Sequence, residues 1–163
     1  ELVKETHTKE LKEIITAIKS VDSIKIKVKQ SKEKTMINRM LFAPIEINKA
    51  ILGNYLYKRG WTKPKIYLDE ARRFIEGDGV KNRVGLEVQF GKYAFLGWDI
   101  FGKMVIFAKE GYYDLGVEVV PVRTFSRGMS TGIGSFEQIE AILNKRGVSN
   151  LDIPIAVLGI GDW

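Results

Sequence analysis

The side chains best placed to do chemistry are Glu87, in the stretch RVGLEVQFGKY, and Asp78, with eight residues between them. The stretch has a two-residue period, which puts Glu87 and Gln89 on the face opposite its apolar side chains. A lone carboxylate buried on such a strand is costly unless it is paired or binds a metal ion. If the chain turns back near Asn82, the returning strand brings Asp78 beside Glu87, with the backbone carbonyl of Val88 close by. Hard oxygen ligands of this kind suit Mg²⁺.

A magnesium site of this composition predicts phosphodiester hydrolysis, because the ion lowers the pKa of a bound water and stabilises charge at phosphorus. A simpler interpretation stays open, since an aspartate between two glycines is often only a turn residue and Glu87 could pair with Arg83 or Lys92. The chain has no cysteine, which excludes disulfides, thiolate nucleophiles and cysteine-based zinc sites. His7 is its one histidine, which excludes a multi-histidine metal site.

Charge is distributed unevenly along the 163 residues, whose formal net charge is +6. Residues 1–65 hold 15 Lys or Arg against 7 Asp or Glu, and residues 66–163 hold 11 against 13. A basic part beside a slightly acidic part suits a protein that grips a polyanion with one region and holds cations with the other. The alternative is a lysine-rich solvated surface. No apolar run reaches the length of a membrane span and no secretory signal is visible, so a cytoplasmic protein is expected.

The elements that must position these residues follow from hydrophobic periodicity and cap signals. Expected helices cover residues 3–19, the segment from Pro44 to Gly60, residues 99–110 with Asp99 as the cap, and the segment from a Ser135–Gln138 capping box to Arg146. Expected strands are the alternating SIKIKVK of residues 23–29, both arms of a hairpin around Asn82, residues 115–122, and the apolar run from Pro154. This order predicts an α/β fold with a mixed β-sheet flanked by helices on both faces. The length fits one domain over 1–163, with a helical part at about 1–65 and a catalytic core at about 66–163.

The loop RTFSRGMSTGIGS follows a buried strand and runs from Arg123 to Ser135. It is rich in Gly, Ser and Thr and contains two arginines, a composition that can enter the major groove of DNA. A flexible surface loop is the alternative. Glu118, on the preceding strand, is expected to pair with Arg123 or another base, or to support the metal site from behind.

Two patterns resemble known nucleases. Asp78, eight further residues and then Glu87-Val88-Gln89 resemble the PD-(D/E)xK nuclease motif in the variant that has glutamine in the lysine position. The longer string EVQFGKYAFLGWDIF, followed by GVEVVPV and MSTGIGSFEQ, closely resembles the BglII/BstYI group of type II restriction endonucleases. The resemblance extends from about Phe74 to Gly161, and the N-terminal third fits in outline.

The resemblance implies a restriction-endonuclease-like fold and a homodimer that depends on Mg²⁺, with Mn²⁺ as a substitute ion. Such an enzyme cuts double-stranded DNA at a palindromic site with a GATC-type core and leaves 3′-hydroxyl and 5′-phosphate ends. A host that carries it is expected to have a cognate DNA methyltransferase. A structure-selective nuclease such as a junction resolvase shares the catalytic core and remains an alternative. A catalytically silent DNA-binding module with the same fold is another.

The resemblance also assigns roles to residues. Asp78 and Glu87 would be catalytic metal ligands, with Val88 adding its carbonyl oxygen. Gln89 would orient the attacking water, because a neutral amide cannot act as a general base at pH 7. A further acid often completes such sites from the preceding helix, and Glu46 and Glu70 are both candidates.

For DNA binding, the resemblance points to Lys92, near the scissile phosphate, and to the loop after the buried strand. The loop residues that it implicates are Arg123, Ser126, Arg127, Ser130, Thr131 and Ser135.

Overall fold

The structure of the protein, a computed structural model, describes residues 6–147 and 151–161. The helical elements there are α1 (Thr8–Lys19), α2 (Ser23–Ile26), α3 (Pro44–Asn48, continuing as a π-helix over Lys49–Leu56 and a 3₁₀ turn over Tyr57–Arg59), α4 (Ala94–Trp98, a π-helical stretch over Asp99–Lys103, then Met104–Lys109), α5 (Arg123–Ser126) and α6 (Phe136–Arg146). The strands are β1 (Lys29–Gln30), β2 (Met40–Leu41), β3 (Lys65–Tyr67), β4 (Phe74–Glu76), β5 (Gly79–Lys81), β6 (Val84–Val88), β7 (Leu115–Pro121) and β8 (Ile155–Ile160). None of the helices in these parts of the chain combines the length and the apolar character that crossing a membrane requires.

The main sheet has the strand order β5-β6-β7-β8. Strands β5 and β6 form an antiparallel hairpin, whereas β6, β7 and β8 run parallel. Each parallel connection crosses over through helices, α4 between β6 and β7, and α5 with α6 between β7 and β8. The mixed sheet predicted from the sequence is therefore confirmed, and so are its strands near 115–122 and after Pro154.

The two faces of the sheet bury different sets of side chains. Val84, Leu86 and Val88 of β6 join one apolar cluster with residues of α1 and α3. On the other face, Leu96 and Ile100 of α4 pack with residues of β7, β8 and α6. Because side chains alternate along a strand, Glu87 points to the face that α4 covers. The helix-covered sheet thus fixes which helix the candidate catalytic residue meets.

A two-residue turn closes the β5–β6 hairpin. Lys81 pairs with Val84, and the intervening Asn82 and Arg83 have φ angles of 47° and 65°. Two successive left-handed residues are the mark of a type I′ hairpin, whose twist matches that of the strands. The Arg83 side chain donates hydrogen bonds to Asp114, an interaction that offsets part of the cost of its left-handed backbone. The turn predicted near Asn82 is confirmed.

Helix α1 anchors this hairpin from the opposite side of the sheet. Lys81 Nζ lies 2.7 and 2.8 Å from the two carboxylate oxygens of Glu13, and the indole N–H of Trp61 donates to the same carboxylate at 2.8 Å. The Asn82 side chain donates to Glu10 at 2.7 Å. The helix predicted over 3–19 is present from Thr8 to Lys19, and its first predicted residues, 3–5, lie outside the described residues.

The strand predicted over 23–29 is wrong. The carboxylate of Asp22 accepts a hydrogen bond from Ile24 N at 3.0 Å and starts helix α2. Ile24 is 84% exposed and Val28 54% exposed, while Ile26 is buried. The alternating apolar side chains therefore never share a buried face, and alternation without such a face does not hold a strand.

Helix α4 begins earlier than predicted. It starts at Ala94 rather than at Asp99, and Asp99 lies buried inside it, where its carboxylate is bound by other side chains and caps nothing. The π-helical stretch that starts there is short, and such stretches are frequent at functional sites.

Candidate active site

Asp78 and Glu87 meet across the β5–β6 hairpin. Gly79 pairs with Leu86, so the next position along the antiparallel ladder sets Asp78 opposite Glu87, with both side chains on one face. Val88 N donates to Asp78 Oδ2 at 2.8 Å, which fixes the aspartate beside β6. A Cβ placed on Gly77 would lie 3.2 Å from Glu87 Oε1, so this oxygen faces the segment that carries Asp78.

A lysine from helix α4 completes the cluster. Lys103 Nζ lies 2.7 Å from Glu87 Oε2 and 2.9 Å from Asp99 Oδ1. Both carboxylates are buried, and the Lys103 side chain is 15% exposed. Neither Asp99 nor Lys103 was predicted as a site residue. Their i, i+4 spacing is the signal that could have suggested an inward-facing ion pair on this helix.

The amide of Gln89 is held on both sides by the protein. Its Nε2 donates to Asp99 Oδ2 at 2.6 Å, and its Oε1 accepts from Gly91 N at 2.7 Å. A continuous chain of polar contacts therefore runs from Glu87 through Lys103 and Asp99 to Gln89. The amide nitrogen has a second N–H that this chain does not use.

Burial and the neighbouring charges have opposing effects on the pKa values of the cluster. Burial raises the pKa of Glu87 to about 8, with the Asp78 charge adding to the rise and Lys103 opposing it. Burial also raises the pKa of Asp78 above its ordinary value, while its hydrogen bond from Val88 opposes the shift. Burial by itself would lower the pKa of Lys103, but the adjacent Glu87 and Asp99 carboxylates raise it overall. Lys103 is accordingly a fixed positive charge.

Tyr57 belongs to the edge of this cluster. Its hydroxyl donates to the backbone carbonyl of Asp78 at 2.8 Å. Burial, followed by the charges of Asp78, Glu76 and Glu87, raises the pKa of Tyr57 to about 12. The phenol therefore stays protonated and works as a donor that fixes the backbone of Asp78.

The oxygen atoms of the cluster fit a divalent cation. Glu87 Oε1 is buried and has no hydrogen-bond partner among the described residues. Asp78 accepts the Val88 N–H through Oδ2, so its Oδ1 could bind an ion. No group of three or more His, Cys, Asp or Glu side chains disposed to hold a metal occurs within residues 6–147 and 151–161. An ion here would rest on two carboxylates, with its other ligands from backbone, water and substrate, a pattern typical of Mg²⁺.

The candidates for an additional acid lie elsewhere. Glu46 is in the first turn of α3, the helix that packs on the other face of the sheet. Glu70 is exposed, between β3 and β4. The charges that act on Glu87 include those of Lys103, Asp78 and Asp99. Asp99, which shares the Lys103 ammonium with Glu87, comes instead from the helix that follows the strand.

The expected pairing of Glu118 with Arg123 or another base is wrong, whereas the alternative, that Glu118 supports the metal site, stays a prediction. Glu118 is fully buried, and neither of its carboxylate oxygens has a hydrogen-bond partner among the described residues. Arg123 is exposed beyond the end of β7. Burial, together with the Asp99 and Glu87 charges, raises the pKa of Glu118 well above its ordinary value.

The predicted recognition loop borders an open cavity. Its lining includes Ser126, Arg127, Ser130 and Thr131 from the loop, and Arg39 from the segment before β2. Four of the implicated side chains therefore share one surface with a further arginine.

Segment 29–39 and Lys92 hold this loop in place. Lys29 Nζ donates to Ser130 Oγ at 2.6 Å, and Thr131 N donates to Glu33 Oε2 at 2.9 Å. The Lys92 ammonium donates to the carbonyl of Thr131. The loop is therefore braced from both flanks, and Lys92 connects it to the end of the strand that carries Glu87.

The remaining two loop residues have structural contacts. Ser135 is buried, and its N–H donates to Gln138 Oε1 at 2.9 Å at the start of α6, as the capping box predicted. Arg123 is exposed at the start of α5, and its N–H donates to the Glu137 carboxylate at 2.9 and 3.1 Å.

The fold and the paired carboxylates place the protein in a known structural class. A solved structure, described as restriction endonuclease BglII complexed with a DNA 16-mer, matches with a TM-score of 0.81 and 22% sequence identity. The match covers 99% of this chain and 75% of that chain. The fold is that of a BglII-type restriction endonuclease.

The family follows from the sequence model. The family model described as restriction endonuclease BglII/BglIII matches residues 1–160. No curated protein matches the chain. The chain belongs to the BglII/BglIII restriction endonuclease family and is a type II site-specific endonuclease that acts on DNA. Endonucleases of this family generally use divalent metal ions.

Proposed function

We propose that the protein hydrolyses phosphodiester bonds of double-stranded DNA at a short palindromic site with a GATC-type core, using Mg²⁺, for which Mn²⁺ can substitute. The products are 5′-phosphate and 3′-hydroxyl ends. The observation that carries this proposal is the meeting of Asp78 and Glu87 on one face, with Glu87 Oε1 buried and without a hydrogen-bond partner among the described residues. The structural neighbour described as a complex with a DNA 16-mer supports double-stranded DNA as the substrate.

Asp78 and Glu87 would hold the ion, with the Val88 carbonyl as a third protein ligand. The ion supplies a bound water of lowered pKa and a positive charge beside the phosphate. Gln89 is a catalytic residue through its unused N–H, which orients the attacking water. It is fixed for this task because its other amide contacts are with Asp99 and Gly91.

Sequence discrimination is assigned to the braced loop. Arg127 is exposed and suits guanine, whereas the hydroxyls of Ser126, Ser130 and Thr131 can serve either base type. Lys92 would contact the DNA backbone near the cut, because it joins the loop to the catalytic strand. In a homodimer, the two copies of this loop would read the two halves of the palindrome. The two-fold symmetry of the protein then requires a two-fold symmetric recognition site.

Digestion of a sequenced plasmid tests the proposal directly. The purified protein is incubated with plasmid in Mg²⁺, in Mn²⁺ and in EDTA, and the fragment ends are sequenced. Discrete fragments that share one palindrome at every end, absent in EDTA, are the expected result. A smear would indicate a non-specific nuclease, and cleavage confined to branched DNA would indicate a junction resolvase. Plasmid that stays intact at all metal concentrations would indicate a DNA-binding module without catalytic activity.

A further inference from the structure

The site described above contains a lysine, Lys103, that does not come from the lysine position of the sequence motif. The PD-(D/E)xK pattern has its lysine two residues after the second acid, and Gln89 stands there. Lys103 reaches the same carboxylate from helix α4, with Nζ 2.7 Å from Glu87 Oε2. The positive charge that the motif would place after β6 is therefore supplied beside Glu87 by helix α4.

Among the described residues, Lys103 has two hydrogen-bond partners, which leaves one of its donors for a ligand. An ammonium has three N–H donors, and Glu87 and Asp99 take two of them. Two buried carboxylates bind the Lys103 ammonium through short hydrogen bonds, and these bonds fix its position. Asp99 is in turn held by Gln89, which ties the ammonium to the catalytic strand through both partners.

A structural role alone explains this arrangement poorly. Taking a lysine and two carboxylates out of water is costly, and apolar side chains of similar size often give equal or better stability. Within the same helix, Ile100, Met104 and Phe107 fill the neighbouring core positions. The π-helical stretch Asp99–Lys103 brings both polar residues to the face of β6. A buried ammonium kept at this point, next to an oxygen that is free for a ligand, is suited to a negatively charged substrate.

We propose that Lys103 is a catalytic residue that donates its third N–H to a non-bridging oxygen of the scissile phosphate. This inference rests on the proposed function. In the hydrolysis, the water oxygen forms a bond to phosphorus and the bond from phosphorus to the 3′ oxygen breaks. One water proton ends on the 3′ hydroxyl, and the other stays on the new 5′-phosphate, from which it dissociates to solvent. Lys103 keeps its protons throughout and supplies charge, the contribution that the neutral Gln89 cannot make.

Three variants and one control test the assignment. Lys103→Met removes the ammonium, Lys103→Arg keeps a cation, and the double variant Gln89→Lys with Lys103→Met moves the ammonium to the motif position. Lys109→Met, on the exposed end of the same helix, is the matched control. Each is measured for its single-turnover cleavage rate in Mg²⁺ on the plasmid that the wild type cuts, its DNA Kd in Ca²⁺, and its Tm.

In Lys103→Met, we expect the cleavage rate to fall by at least about 100-fold, while the DNA Kd changes by less than about threefold. Lys103→Arg should retain cleavage within about tenfold of wild type, and the double variant should recover at least about tenfold over the single one. If Lys103 had only a structural role, a lysine at position 89 would not restore cleavage. If Lys103→Met lacks a cooperative thermal transition, Lys103→Gln, which keeps donors without charge, takes its place in the comparison.

Two outcomes overturn the assignment while the proposed function survives. One is a folded Lys103→Met enzyme that cuts within threefold of wild type. The other is a double variant that folds and shows no recovery. A wild-type enzyme that cuts no DNA overturns the proposed function, and this inference with it.

Discussion

Glu87 and Glu118 are register partners on the neighbouring parallel strands β6 and β7, and both side chains point to the face covered by helix α4. Lys103 and Asp99 enter the same space from that helix. The ammonium bonds Glu87 and Asp99 and leaves Glu118 without a partner among the described residues. Of the two glutamates, Glu87 therefore has a cationic partner, and Glu118 has none among the described residues.

Replacing Glu118 by glutamine should stabilise the protein at alkaline pH. The pKa of Glu118 is raised in the folded state from an ordinary value of 4.5, so the unfolded chain loses this proton more readily and stability falls as pH rises above about 4.5. Glutamine removes that dependence. Glu118→Gln should have a free energy of unfolding roughly 1–3 kcal/mol above wild type at pH 8 and about equal to it at pH 4.

Urea denaturation at pH 4, 6 and 8 measures this difference. Glu140→Gln, on the exposed side of α6, serves as the control and should show no such trend. A Glu118→Gln variant that is less stable than wild type at pH 8 would mean that Glu118 is ionised and paired in the folded protein.

Replacing Asp78 by asparagine should separate DNA binding from cleavage. The amide oxygen can still accept the hydrogen bond from Val88 N, so the hairpin should keep its geometry. Loss of one charged metal ligand should lower the cleavage rate roughly 10²–10³-fold. DNA affinity in EDTA should stay equal or increase, because one negative charge near the phosphates is removed.

Gel-shift titration in EDTA and single-turnover cleavage in Mg²⁺ give the two quantities. Asp152→Asn, at an exposed position before β8, is the charge-matched control and should change neither. Parallel loss of binding and cleavage in Asp78→Asn would indicate a structural defect.

Replacing Arg127 by alanine should weaken discrimination more than overall binding. A bidentate arginine–guanine contact contributes about 1–3 kcal/mol of discrimination, so the ratio of specific to non-specific affinity should fall roughly 10- to 100-fold. Lys145→Ala, which removes a positive charge from α6, should leave this ratio unchanged. Competition titrations with cognate DNA and with a scrambled duplex measure the ratio. Equal weakening on both duplexes would assign Arg127 to the phosphate backbone.

Replacing Glu13 by glutamine should loosen the support of the catalytic hairpin. Burial alone would raise the pKa of Glu13, but the hydrogen bonds from Lys81 and Trp61 lower it overall. A lowered pKa means stability that is present above the unfolded value of 4.5 and lost as pH falls through the folded pKa. Glu13→Gln should therefore lower the free energy of unfolding by roughly 1–3 kcal/mol at pH 7. The loss should shrink below about pH 4 in denaturation experiments, and a loss independent of pH would show that packing rather than the ion pair is involved.

The part of the site that lies on one hairpin could be predicted from the sequence. Asp78 and Glu87 are close in the chain, and the alternating strand and the turn at Asn82 are enough to bring them together. The fold class followed from a different signal, the alternation of strands and helices towards the C-terminal end. Local pattern decides the hairpin because its contacts are between residues close in the chain.

Lys103 could not be predicted in this way. Its contact with Glu87 depends on how helix α4 crosses the sheet and on a π-helical stretch that periodicity does not reveal. Asp99 was expected as a helix cap because aspartate often fills that position, and only the early start of α4 at Ala94 places it inside the helix. The segment 23–29 differs from its prediction for a related reason: its alternation predicts a strand, but the residues that decide burial come from other parts of the chain.

The tight connection at Asn82 and Arg83 makes the catalytic hairpin intolerant of any change in chain length. Adding or removing one residue between Gly79 and Leu86 would rotate one arm by half a period and send Asp78 or Glu87 to the face occupied by α1 and α3. Substitutions in the turn can be absorbed wherever the backbone still adopts left-handed angles. The length of this turn therefore constrains the site more tightly than the identity of its two residues.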